Sequence, residues 1–160
     1  GQEFRLGDSV AKILGAVGHS LGHILYWFPE VEALFSGDTL FSLGCGRLFE
    51  GSAEEMWGTL NALRNLPGTT RLYCGHEYTA DNATFARVID PDNQKLRARS
   101  EEVRRLRHDS LPTVPSTLQS EWDCNPFLRA NNPDIRKQLQ MLDNTDAQVF
   151  AEIRKRKDTF

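Results

Sequence analysis

Three short apolar runs end the same way, with a glycine followed by a side chain able to bind a metal. "AVGH" (16–19) ends in His19, "ALFSGD" (33–38) in Asp38 and "LYCGH" (72–76) in His76. Short runs rich in apolar and aromatic residues, separated by Gly, Pro and Ser, read as strands. Strand ends gather on one rim of a sheet, and binding sites collect there. The glycine beside each ionisable residue lets the backbone turn sharply and approach a site closely. Imidazole and carboxylate are donors suited to zinc or iron. Composition and spacing alone leave two readings open: a metal site, or ordinary turn and surface residues.

His23 lies four residues after His19, the spacing of a helical pair of zinc ligands. Gly22 stands between them and makes a helix poor. In a turn leading into a strand, residues four apart do not share a face. His23 is therefore expected to be structural, its ring hydrogen-bonded to backbone and holding the loop. His108 sits in a charged stretch and is expected to be solvated.

Strands are expected over 12–17, 23–28, 32–37 and 70–75. Ser52-x-x-Glu55 fits a capping box and opens a helix whose inner face carries Met56, Leu60 and Leu63, ended by Pro67-Gly68. Thr79 can cap the next helix, to about Val88. The character changes near Asp90-Pro91. From there only helices and loops are expected: one begun by Asp90 as cap and Pro91, a stiff connector over 111–117, a short helix capped by Ser116, one opened by Asn132-Pro133, and a last one capped by Asp146. Val149, Phe150 and Ile153 form an apolar stripe on that last helix. The fold class is thus α+β, with mixed strands and helices over 1–88 and an all-helical second part over 89–160.

At 160 residues, 39% hydrophobic and 26% charged, the chain suits one compact domain or a small domain with an appendage. A net charge of −3 favours no class of partner. No nucleic-acid partner is expected, and no run reaches the ~18 apolar residues of a membrane span. Three scattered cysteines, Cys45, Cys74 and Cys124, are no disulfide framework, which points to a reducing cytoplasm.

Longer stretches carry a resemblance. "GHSLGH" (18–23), "LFSGDTLFSLGCGRLFEG" (34–51), "YCGHEYT" (73–79), "PTVPSTL" (112–118), "NPFLR" (125–129) and "RKRKD" (154–158) together resemble the glyoxalase II family, the hydroxyacylglutathione hydrolases of the metallo-β-lactamase superfamily. The Gly-His and Gly-Asp-Thr pieces are shared across the superfamily; "GCGRLFEG", "CGHEYT" and the helical tail are more specific. The resemblance implies a fold: residues 1–88 as the second half of an αββα sandwich, and 89–160 as a helical, glutathione-binding domain. It implies an activity: hydrolysis of the thioester S-D-lactoylglutathione to glutathione and D-lactate, a step of methylglyoxal detoxification. It implies a binuclear metal cofactor, zinc with iron or manganese possible, in which His19 matches a ligand of one metal, His76 a ligand of the other and Asp38 the bridging carboxylate. For the substrate it implies Arg47 near the glycine carboxylate of glutathione, Phe49 and Tyr78 beside the tripeptide, and Arg154 with Lys157 on one helix face toward an anion. Read without the resemblance, the run "RKRK" fits a solvated helix end.

The sequence departs from the family in three places. The signature His-x-His-x-Asp-His is missing, and the remaining metal ligands are expected upstream of residue 1. Val17 stands where a proline is usual, and Phe49 where the family often has tyrosine, which removes one hydroxyl. The chain is accordingly expected to be the back portion of the enzyme, with open apolar sheet faces, poor stability alone and little thioesterase activity, the complete protein being monomeric. Two other readings are a related lactonase or persulfide dioxygenase, which generally lack the helical tail, and a non-catalytic glutathione-binding module.

Overall fold

Alternating side chains over Glu3–Leu6 (β1) and Ser9–Gly15 (β2) pair as an antiparallel hairpin around Gly7, which takes a positive φ of 59° in the tight turn. β1 was not among the expected strands, and β2 starts and ends earlier than the run at 12–17. The sequence signal was present: Gly-Asp between two alternating runs is a hairpin turn. The computed structural model describes residues 1–160. β2 continues antiparallel to Ile24–Phe28 (β3), and β3 to Ala33–Gly37 (β4). Leu40–Phe41 (β5) and Gly44–Cys45 (β6) form a separate small hairpin.

The chain then crosses the sheet through Ala53–Ala62 (α1), capped as expected by the reciprocal bonds of Ser52 and Glu55. The Glu55 carboxyl is held low by the backbone and side-chain donors of Ser52. This crossover places Arg71–Cys74 (β7) parallel to β4. The register slips between Phe35 and Gly37, so β4 carries one extra residue, Ser36, against β7.

Four more helices follow Thr79–Ile89 (α2): Gln94–His108 (α3), Leu118–Cys124 (α4), Pro133–Leu139 (α5) and Asp146–Asp158 (α6). Only the Asn132 cap falls where the sequence put it. Thr79 is the first residue of α2 rather than its cap, and its hydroxyl bonds to that of Thr113. Asp90 ends α2 and accepts bonds from Asn93 and Arg129, while Asn93 caps α3. Thr117 caps α4, because the Ser116 hydroxyl is turned inward to Glu121. Thr145, in a capping box with Gln148, caps α6, and Asp146 pairs instead with Arg136. The helical part also holds a strand that was not expected: Ser116–Thr117 (β8) joins the far edge of the sheet against β7.

The sheet order is β1-β2-β3-β4-β7-β8. Its inner face presents Leu25, Leu34 and Leu72, all 0% exposed, to a core shared with Met56 and Leu60 of α1 and with Phe150 and Ile153 of α6. The apolar stripe read from α6 is wholly buried. The core runs without a break from the strands into the helical part. The outer face is aromatic: Phe4 meets Tyr26 edge-on, and Phe35 stacks on Tyr73 at 5.0 Å. Phe4 and Phe35 stay 44% and 45% exposed, so this face is open, as expected. No helix is long and apolar enough to cross a membrane.

Candidate metal centre

The loops after β2, β4 and β7 carry His19, Asp38 and His76 to one place. His19 Nε2 lies 3.7 Å from Asp38 Oδ2, and His76 Nε2 lies 3.3 Å from Asp38 Oδ1. One carboxylate thus faces two imidazoles, one on each oxygen. Two glycines make this possible. Gly37 has φ +50°, and a Cβ there would fall 2.7 Å from the His23 ring; a Cβ on Gly75 would fall 2.6 Å from Asp38 Oδ1.

Hydrogen bonds orient the rings. His19 Nδ1 sits 2.9 Å from the carbonyl oxygen of Arg47. A carbonyl only accepts, so Nδ1 carries a proton and Nε2 is the ring nitrogen turned toward Asp38. An Nδ1 proton fixed by a backbone acceptor is what a metal-binding imidazole needs. His23 Nε2 accepts the backbone N–H of Asp38 at 3.3 Å, so His23 holds the loop as expected. His108 is largely exposed beside Asp109. Glu77, next to His76, accepts from the N–H and hydroxyl of Thr113 in the Pro-rich connector.

The donors fit a metal in kind, two imidazoles and a carboxylate. They fall short in number, at two per ion, and no group of three or more His, Cys, Asp or Glu side chains is arranged to hold one. A catalytic zinc ordinarily takes three protein ligands.

All eight residues singled out from the sequence line one cavity of about 590 Å³. Phe49 lies 5.0 Å from the His19 ring, and Tyr78 stacks on His76 at 4.7 Å with Phe41 edge-on to it. Arg47 is exposed and makes no ion pair with a carboxylate. Arg154 differs from its neighbours on the last helix. It is 5% exposed, donates to the Cys45 carbonyl, pairs with Asp158 at 3.0 Å and lies 5.1 Å over the Phe127 ring. A solvated helix end is therefore excluded for Arg154, whose Nε is buried without a partner. Lys157 is partly buried and makes no ion pair; burial and the nearby Arg154 hold its ammonium below the usual lysine range. The Cys45 thiol is pushed up to about 11 by burial, against the pull of Arg154, so it is no thiolate nucleophile at neutral pH.

Residues that sequence reasoning missed hold the segment between Asp38 and Arg47. Glu121, fully buried on α4, accepts from the Leu43 N–H at 2.7 Å and from the hydroxyls of Ser42 and Ser116. Asn125 donates to the carbonyls of Phe41 and Gly44 and to Glu121, and Asn82 donates to the Ser42 carbonyl. Burial raises the Glu121 carboxyl, and these donors oppose the rise. No local pattern marks Glu121, which reads as one more polar residue of a short helix.

Comparison with known proteins identifies the family. Residues 1–76 match the metallo-β-lactamase superfamily and residues 77–160 match the hydroxyacylglutathione hydrolase C-terminus. The chain is 54% identical over 160 residues to the hydroxyacylglutathione hydrolase of Methylococcus capsulatus, covering all of this chain and 62% of that protein. It is 56% identical over 159 residues to that of Bartonella tribocorum, covering 99% of this chain and 63% of that one. The chain thus spans somewhat under two thirds of the length of these curated relatives. In fold it is similar to the crystal structure of ETHE1 from Myxococcus xanthus (TM-score 0.56, 20% identity, 97% of this chain and 56% of that one). It is equally similar to a metallo-β-lactamase from Staphylococcus aureus (TM-score 0.56, 22% identity, 96% and 40%). The chain belongs to the hydroxyacylglutathione hydrolase family of the metallo-β-lactamase superfamily.

Proposed function

We propose that these 160 residues are the part of a glyoxalase II that binds the glutathione thioester and whose His19, Asp38 and His76 would serve as ligands of a binuclear metal site. The observation that carries the reading is the convergence of His19, Asp38 and His76 with Arg47, Tyr78 and Lys157 on a single cavity. The reaction is hydrolysis of S-D-lactoylglutathione to glutathione and D-lactate. A bound metal pair, of zinc, iron or manganese, supplies Lewis acidity at the thioester carbonyl and a nucleophile at neutral pH. His19 and His76 would hold that pair, and the Arg47 carbonyl keeps a proton on His19 Nδ1. Arg47 and Lys157 bring positive charge to the carboxylates of the tripeptide, where charge-assisted bonds are strongest. Tyr78, stacked on His76, offers its hydroxyl to the peptide backbone. The remaining metal ligands belong to protein outside these residues. We further propose residues 1–88 as the back of the sandwich and 89–160 as the glutathione-binding part. Three unpaired cysteines support a reducing compartment.

Calorimetry tests this with the 160-residue chain, S-methylglutathione and zinc. Binding of the glutathione conjugate with weakly held metal and little turnover of S-D-lactoylglutathione is expected. A folded chain that does not bind the conjugate sinks the reading; robust hydrolysis sinks the assignment of the other ligands to absent residues. The shortage of donors also favours a second reading, a glutathione-binding module without catalysis. That reading predicts conjugate affinity unchanged by Asp38→Asn and no zinc bound at any concentration.

A further inference from the structure

Lys157 is a cation of the cavity that no hydrogen bond or ion pair holds in place. Arg154, one helical turn earlier, and Arg47 repel its ammonium, and the Asp81 carboxylate attracts it without forming an ion pair. A free lysine side chain, with four rotatable bonds, would swing into water. Instead Nζ lies 5.3 Å from the centroid of Phe85 and 5.3 Å from that of Phe160. The two rings meet edge to face at 5.3 Å and 68°, and the ammonium faces both. Phe85 is a core residue of α2 at 1% exposure, so it is a fixed wall. Phe160 is different. It is 61% exposed, follows the end of α6, and is folded back by its N–H, which donates weakly to the Lys157 carbonyl at 3.4 Å. It also lines the cavity beside Lys157.

We propose that Phe160 is a positioning residue: with Phe85 it clamps the Lys157 ammonium toward the cavity and thereby sets the affinity for a carboxylate at the end of a bound peptide. The inference rests on the proposed binding of a glutathione conjugate. Ring faces hold a cation without neutralising it, unlike a carboxylate partner, so the charge stays available to the ligand. A cation partly stripped of water also attracts an anion more strongly than a solvated one.

The test is calorimetric, on the full chain, with S-methylglutathione and its glycyl amide as paired probes. Wild type is expected to favour the acid over the amide. Phe160→Leu and Phe160→Ala are expected to weaken the acid by about three- to fivefold, the scale of one lost cation–π contact. The amide should be unaffected, and Phe160→Trp should keep the acid affinity. Because Phe160 is exposed, thermal unfolding should not move. Equal weakening of acid and amide would mean a merely structural role and overturns the clamp. So does a Phe160→Ala variant that keeps the full preference for the acid. A wild-type chain that binds neither probe, or both alike, overturns the ligand reading beneath it, and the clamp with it.

Discussion

The strand-rich front and the helical back of this chain divide the work unequally. His19, Asp38 and His76 all sit on loops of the front, at strand ends. The back contributes no such donor to the centre, yet it dictates the shape of the segment that joins Asp38 to Arg47. Within Phe41–Cys45, the carbonyls of Phe41, Ser42, Gly44 and Cys45 and the N–H of Leu43 are all bonded by Asn82, Glu121, Asn125 or Arg154. Three of those four side chains lie beyond residue 88. The proposed ligands lie in the front, and the back holds their connecting segment in place by side-chain to backbone bonds across the chain.

The sharpest way to break this contrast is at Glu121. Glu121→Ala orphans four donors in the interior and is expected to cost about 3 kcal/mol of stability, read from urea unfolding. Glu121→Gln should cost about 1 kcal/mol or less, because one carboxylate oxygen meets only the hydroxyls of Ser42 and Ser116, which can rotate to accept from an amide. If alanine and glutamine are equally harmless, the helical part does not hold the loop. The same pair of variants carries a pH signature. The folded-state carboxyl of Glu121 is raised, so the folded chain keeps a proton that the unfolded chain releases near 4.5. This group therefore makes stability fall as pH rises from 4.5 until the folded carboxyl has also ionised. The unfolding midpoint of wild type should show that decline, and Glu121→Gln should lack it.

Smaller effects sharpen the contrast from the front. Ser52→Ala removes a cap whose partners are all local and should cost about 1 kcal/mol in thermal or urea unfolding. A loss as large as that of Glu121→Ala would mean that local caps, not long-range bonds, dominate. Phe35→Thr, on the open aromatic face, should change stability by no more than about 0.5 kcal/mol. Solubility at high concentration should rise, since the substitution shrinks an exposed apolar patch.

These expectations follow the line between local and distant causes. The three Gly-ligand loops were legible because glycine, apolar run and ligand are neighbours in sequence. Ser52 was legible because its partner is three residues away. Thr145 was mistaken for Asp146 because both are good caps, and the deciding residue is Gln148. β8 was invisible: two residues become a strand only because β7 offers them an edge. Arg154 was one of four like charges in a row, and nothing local says which of them points inward. Glu121 could not be found at all, since its loop partners lie some 78 residues away.

The extra residue in β4 has a consequence for how such a chain can change over time. With Ser36 absorbed by the bulge, Gly37 rather than Ser36 sits opposite Cys74, and the Asp38 carboxylate comes to rest over Gly75. In an unbulged strand, Asp38 would advance one step and stand level with His76, and the space now kept clear at position 75 would no longer be called for. Two positions 39 apart in the chain are therefore joined in phase: the insertion at 36 is what obliges a glycine at 75. A side chain at 75 thus becomes admissible only once the extra residue at 36 is lost.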